Sequence, residues 1–478
     1  MNKENFAAPI NKNQIKEKGV LSMKMKSKKQ GIAISIFKKM TVMALVLILC
    51  LSMAIPALAA VDFSQNEGTA ADPAKAAITK ILRMPINTTT PAVTFTFTFT
   101  STSFTDIDKS NPDNQDLPTI SPISVTFPTS DFERDDITGE TKYAVKQTGD
   151  FLAAFASNGS LWTKGEGIYT FLVEENQDNA FSGKEGAIYS TAKYEIEVWV
   201  EKDGGKLYAR YVFGKTVLGN LDDYYKTETT SSKVDPKPGT PGGDIGVSSQ
   251  VIFTNKYWKT AGGGETDPAI TSLEIIKNVT GTGSPADKYF IFNVKVIKPA
   301  LVPDPDTGAQ KYKVYVLDST NAIVTSTDNY ATLLTDTKGK KYIEFTTNAA
   351  LDIKLKNGQR LVFADLHVGA NVEVFEKAEA YYIPKYTRTF PDEKTFTSST
   401  KNADWGFPNI GAADAGNHYV KDGAGVNKVT YTNTRVDLTP TGLDVSDLPY
   451  VILIGVAAAG LIGFVLFRAF RKNSKDTI

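Results

Sequence analysis

An all-β protein of the β-sandwich class is what this sequence predicts, and three observations carry the prediction. Apolar and polar residues alternate with period two in run after run. Gly, Pro, Asn and Asp punctuate the runs at short intervals, and no long segment between the two ends shows helical periodicity. "VTFTFTFT" (93–100) sets Val and Phe against Thr, as a half-buried antiparallel strand requires. "YEIEVWVEKDGGKLYARYVF" (194–213) is two such runs around "EKDGGK", a hairpin signal. "YKVYVLD", "KKYIEFTT" and "RLVFADL" repeat the theme. Short strands with this punctuation build sandwiches.

At 478 residues the chain exceeds one domain. "KTAGGGETDP" (259–268) reads as a linker between a first domain over 61–258 and a second over 269–437. A stretch rich in Gly, Pro, Ser and Thr (226–246) reads as a flexible loop before the last strand of the first domain. Basic and acidic residues balance at 53 each, so there is no electrostatic footprint for a nucleic-acid partner. Cys50 is the single cysteine, which excludes a disulfide framework and a cysteine-ligated zinc site. His367 and His418 are the only imidazoles, too few for a histidine-based active site. "DIDKSNPDNQD" (106–116) lacks the Gly and terminal Glu of a calcium loop, and "PDPDTG" (303–308) reads as a turn, so no metal is expected. Trp162, Trp199, Trp258 and Trp405 could form a sugar platform, but strand aromatics belong more often to a core. No catalytic carboxylate pair or phosphate loop stands out. No cofactor is expected, and a surface carbohydrate-active enzyme is the less favoured alternative.

The ends indicate the compartment. "FKKMTVMALVLILCLSMAIPALAA" orders Lys38 and Lys39, an apolar core, Pro56 and Ala57-Leu58-Ala59, as a signal peptide does. With its long basic leader this segment fills residues 1–60, and cleavage is expected after Ala59 or Ala60. "LPYVILIGVAAAGLIGFVLF" (448–467) is 20 uncharged residues, enough for a helix to cross a bilayer. Arg468, Arg471, Lys472 and Lys475 in the tail (468–478) put that end in the cytoplasm. The bulk of the chain is thus expected outside the cell.

One strand carries a fault. In "SLEIIKNVTG" (272–281), Lys277 shares the parity of Leu273, Ile275 and Val279, so it falls on the face that should be buried. The same holds for Lys80 between Ile78 and Leu82. Glu175 follows Phe171 and Val173 on one face, and Glu376 follows Val372 and Val374; parity selects Glu175 over its neighbour Glu174. Each predicted domain then closes on a strand bearing Asn, Asn255 in "QVIFTNKYW" and Asn433 in "VTYTNTR". Any single such residue is ordinarily a strand-end group reaching solvent. Two triplets in the same order argue otherwise. Burial drives Lys toward the neutral amine and Glu toward the neutral acid. A neutral amine is a nucleophile, and a neutral carboxylic acid can polarise an amide carbonyl. Beside an Asn side chain, the amine can displace ammonia and leave an amide between first and last strands.

These residues, with "AITKIL", "GIYTFLVEEN", "QVIFTNK", "LEIIKNVTGTG", "LHVGANVEVFEK" and "VTYTNTRVDLTPTG", resemble the two-domain backbone pilins of Gram-positive bacteria, of the streptococcal type. Those proteins are built from immunoglobulin-like domains of the Cna B type with internal isopeptide bonds. The resemblance covers most of residues 75–442. It implies that Lys80 joins Asn255 with Glu175 as catalyst, and that Lys277 joins Asn433 with Glu376. "LTPTG" (438–442), ahead of the apolar span, resembles a sortase sorting signal, which implies cleavage between Thr441 and Gly442. The acyl group would pass to peptidoglycan or to another pilin subunit. Pro440 stands third rather than second in the motif, as in pilin-type variants. Where the family's polymerising lysine is expected, this chain has Ser248; the upstream loop offers Lys233, with Lys226 and Lys237 as alternatives. The resemblance therefore implies a cell-surface structural protein with sortase, cell wall or sister subunits as partners, and a host or surface ligand if it is adhesive. A non-polymerising adhesin anchored to wall or membrane is the other reading.

Overall fold

A computed structural model describes residues 67–473, apart from 107–111, 130–132, 136–139, 154–160, 178–180, 182–183, 220–231, 240–248, 264–269, 307, 391–392, 401, 409–417 and 437–447. The expected signal peptide with Cys50, the "LTPTG" stretch with Thr441 and Gly442, Lys226, Ser248 and the last residues of the tail lie outside the described residues.

The regular structure of the described sandwiches is almost all strand, as the alternation predicts. In the first sandwich the strands are β1 (Thr79–Pro85), β2 (Val93–Asp106), β3 (Ile123–Phe127), β4 (Glu133–Asp135), β5 (Thr141–Gln147) and β6 (Gly167–Glu175). They continue with β7 (Glu185–Ile188), β8 (Lys193–Asp203), β9 (Lys206–Leu218), β10 (Lys233–Val234) and β11 (Ile252–Lys259). One sheet has the order β4-β5-β1-β11-β7 and the other β10-β9-β8-β6-β2-β3. Between them lies a core that includes Ile78, Leu82, Phe95, Phe97, Phe171, Val173, Ile196 and Phe253.

The second sandwich begins with β12 (Leu273–Thr280), β13 (Tyr289–Ile297), β14 (Lys311–Leu317), β15 (Leu334–Thr335), β16 (Lys341–Thr346) and β17 (Ala350–Lys356). It ends with β18 (Arg360–Phe363), β19 (Asn371–Glu376), β20 (Tyr382–Arg388), β21 (Lys394–Thr397), β22 (Trp405–Phe407) and β23 (Lys428–Arg435). Its sheets are β15-β16-β14-β18-β12-β23-β20-β21 and β17-β13-β19-β22. A second core, with Leu273, Ile275, Phe290, Phe292, Val372, Val374 and Tyr431, fills the space between them.

Both sandwiches share one topological device. First and last strands lie side by side and parallel, β1 with β11 and β12 with β23. Parallel neighbours cannot be joined by a tight turn, so each pair is closed only through the whole intervening chain.

The 226–246 stretch differs from the flexible loop expected of its composition. Its residues 232–239 are docked on the first sandwich. Thr216 N donates to Ser232 O, and Ala77 N donates to Pro236 O, each at 2.8 Å. Val234 and Pro236 are buried. Two apolar side chains suffice to hold a segment that is otherwise polar. Lys233 and Lys237 remain exposed.

Past the sandwiches, α1 (Leu448–Asn473) covers the predicted span and runs on into the basic tail. Its segment Pro449–Arg468 is long and apolar enough to cross a membrane.

Candidate functional site

Each sandwich buries a Lys, a Glu and an Asn at one point between its sheets. Lys80 and Asn255 come from the paired strands β1 and β11, and Glu175 comes from β6 in the facing sheet. Lys277 and Asn433 come from β12 and β23, and Glu376 from β19 in the facing sheet. The registers match. Lys80 lies opposite Phe253 and Lys277 opposite Tyr431, so each Asn sits two residues farther along, on the same face as its partner's neighbour. Exposure is 0% for Lys80, Asn255 and Lys277, and 7%, 1% and 2% for Glu175, Glu376 and Asn433, which removes the strand-end explanation for all six.

Contacts are equally alike. Lys80 Nζ donates to Glu175 Oε1 and Oε2 at 2.8 and 2.7 Å, and Asn255 Nδ2 donates to Oε1 at 2.7 Å. Lys277 Nζ and Asn433 Nδ2 each donate to Glu376 Oε1 at 2.7 Å. Both amines also face an aromatic ring: Lys80 Nζ is 4.5 Å from the centroid of Phe95, and Lys277 Nζ is 4.1 Å from that of Phe290. Glu174, by contrast, pairs with Lys193, so of the two neighbouring acids Glu175 is the buried one, as strand parity expects.

Burial sets the electrostatics. Removal from water pulls Lys80 and Lys277 each down from 10.5 to about 8, against the opposing pull of the carboxylate beside them. The same desolvation pushes the Glu376 carboxyl upward, opposed by Lys277 and by its hydrogen bonds. An ion pair enclosed in hydrocarbon recovers its desolvation cost poorly. In the second sandwich a neutral amine beside a neutral acid is thereby brought within reach, and the Asn433 amide adjoins the acid.

Phe95 and Phe290, which wall the amines, were not singled out from the sequence. Both lie in alternating runs, "VTFTFTFT" and "YFIFNVKV", so the sequence marks them as core without telling which ring meets the lysine. The backbone N–H of Ser190 was missed as well; it donates to Asn255 Oδ1 at 2.7 Å. Other candidates separate from any site. His367 is buried against Tyr312, with Nδ1 3.0 Å from the hydroxyl, and burial lowers it to about 4. Trp162 and Trp405 pack against the two cores, whereas Trp199 is exposed beside Tyr211, so the tryptophans do not gather into one platform. Asp113 of the 106–116 stretch pairs with Lys164 at 2.8 Å, and no metal-ligating cluster occurs among the described residues.

Residues 271–435 match the family model described as Domain of unknown function (DUF7601). No curated protein matches the chain. Among solved structures the chain is similar to the major pilin from Streptococcus pyogenes, at 18% identity and a TM-score of 0.25, over 77% of this chain and 100% of that one. The T3.2 major pilin of another Streptococcus pyogenes serotype is similar at 16% identity and a TM-score of 0.26, over 76% and 98% of the two chains. A Mobiluncus mulieris adhesin, described as containing disulfide, isopeptide and ester cross-links, is similar at 10% identity and a TM-score of 0.16, over 76% and 100%.

Proposed function

We propose that this chain is a cell-surface structural protein, a pilin-like subunit whose two domains (61–258 and 269–437, joined by 259–268) each close through a self-catalysed amide between Lys and Asn. The observation that carries the reading is one buried triad built twice, at the same register and with the Lys and the Asn nitrogen each meeting a Glu oxygen. Lys Nζ passes a proton to the Glu oxygen it touches, and its freed lone pair attacks Asn Cγ. The new Nζ–Cγ bond forms and the Cγ–Nδ2 bond breaks. Glu relays a proton from the attacking nitrogen to the departing one, which leaves as ammonia. The Nδ2 contact to Glu in both sandwiches favours this last transfer. No cofactor enters.

The remaining assignments follow the sequence. Residues 1–60 direct export, sortase cleaves between Thr441 and Gly442, and the Thr441 acyl group passes to peptidoglycan or to a sister subunit. The length and hydropathy of α1 support a membrane stage before that transfer. Lys233 is the proposed acceptor in polymerisation; its exposure on the edge strand β10 supports that role.

Protein released from the cell wall by a muralytic enzyme tests the proposal. Peptide mapping should find branched peptides joining Lys80 to Asn255 and Lys277 to Asn433, and a chain ending at Thr441. Protein that extracts whole in detergent, with residues 448–478 attached and linear peptides throughout, would overturn it.

A further inference from the structure

The two triads differ at the asparagine oxygen and at one glutamate oxygen, which Lys80 reaches on Glu175 and Lys277 does not on Glu376. Asn255 Oδ1 accepts the backbone N–H of Ser190 at 2.7 Å. Asn433 Oδ1 is buried and has no hydrogen-bond partner among the described residues, and neither has Glu376 Oε2. The strands beside the two asparagines explain the difference. Next to β11, the four-residue β7 stops at Ile188, whose partner is Lys256, one residue short of Asn255. The chain then leaves the ladder, and the Ser190 N–H turns to the Asn side chain. Next to β23, the seven-residue β20 runs past Asn433 without a break, pairing Pro384 with Asn433 and Lys385 with Thr432. Pro384 has no N–H to give, and the pairing continues on both sides of it.

We infer that the Ser190 N–H acts as an oxyanion donor in closure of the first sandwich, and that the second sandwich closes without a backbone counterpart among the described residues. The inference rests on the proposed amide chemistry. When Lys80 Nζ adds to Asn255 Cγ, the carbonyl π pair moves onto Oδ1 and is met by a donor already in place. At Asn433, whose Nδ2 rather than Oδ1 meets Glu376, the developing charge finds no donor already in place among the described residues. A fixed donor aimed at the developing oxyanion is worth about 100-fold in rate or more. The amines themselves are alike: both are held near 8, and both touch their Glu at 2.7 Å, Lys80 through two oxygens and Lys277 through one.

The test uses the full chain, recovered unreacted in denaturant and refolded by dilution, so that both reactions start together. Aliquots are quenched in acid, and the two branched peptides are quantified by mass spectrometry against recovery of protease resistance. In the wild type, Lys80–Asn255 should form at least tenfold faster than Lys277–Asn433. Ser190→Pro, which deletes the N–H, should slow the first link by about 100-fold and leave the second as an internal clock. A Ser190→Pro chain that refolds and links Lys80 at the wild-type rate overturns the inference. If that variant fails to refold, the wild-type order decides: equal rates, or a faster second link, overturn it. Absence of both links from refolded wild type instead overturns the amide chemistry itself.

Discussion

Asn433→Ala removes the carbon that Lys277 attacks and strands the amine beside Glu376 in the core. Burial holds that amine near 8 in the fold, against 10.5 in the unfolded chain. Between those values the unfolded chain binds more protons, so stability should rise with pH. The penalty for the charged amine is full below about pH 8 and gone above about 10.5, on the order of 3 kcal/mol in all. Glu376, raised by burial, contributes with the opposite sign as pH climbs from its ordinary 4.5, so the alkaline limb is the informative one. Denaturant melts of the variant's second sandwich, referenced to a cross-linked wild type whose amine is consumed, should show this gain. A difference that is flat or falling across the window contradicts it. At this scale much was legible in the sequence. Period-two parity exposes Lys80 and Lys277 as misplaced and separates Glu175 from Glu174, because a strand has only two faces. Phe95, Phe290 and the Ser190 N–H were not legible. Any core ring satisfies the pattern, and a backbone donor carries no side-chain signature.

Among the elements, β10 is where composition misled. "SKVDPKPG" is polar and turn-rich, yet Val234 is fully buried because β9 offers it a glycine. A Cβ on Gly214 would come within 2.5 Å of Val234 Cγ2 and 3.0 Å of its carbonyl oxygen. Gly214→Val should therefore lift β10 from the sheet edge, at a local cost of about 1–3 kcal/mol. Limited trypsin digestion should then cut at Lys233 well before the wild type is cut, with both branched peptides still formed. Unchanged protection at Lys233 would show that Val234 is not what holds the segment. Strand existence was otherwise readable from alternation. The pairing of first strand with last leaves no local mark, its partner being more than 150 residues away, and only the repeated Lys, Glu, Asn order pointed to it.

Across the molecule, the sandwiches meet at a joint with bonds on both sides. Thr260 N donates to Lys184 O at 2.9 Å, while Ala261 N donates to Leu366 O at 2.8 Å in the second sandwich. Lys259 pairs with Asp422 at 2.6 Å, and Asp422 also accepts from Thr89 N at 3.0 Å. A side chain at Gly369, whose φ is +79°, would strike Pro85. Asp422→Ala should loosen this joint, seen as faster hydrogen exchange at Thr89, without altering either triad. Tension then has a defined route: into β1, across the proposed Lys80–Asn255 amide to β11, through the joint to β12, and across Lys277–Asn433 to β23. In Glu376→Ala, stretching single molecules should release the 156 residues between Lys277 and Asn433 (433 minus 277), roughly 550 Å of chain at about 3.5 Å per residue. A cross-linked second sandwich should release almost none of it. The central claim is that both lysines are consumed, and intact mass tests it most directly. The recombinant soluble region, residues 61–437, should weigh two ammonia molecules less than its sequence, Glu175→Ala and Glu376→Ala one less each, and the double variant none. A wild-type mass equal to the sequence would contradict the account, and Lys277 would remain a charge buried without a reason.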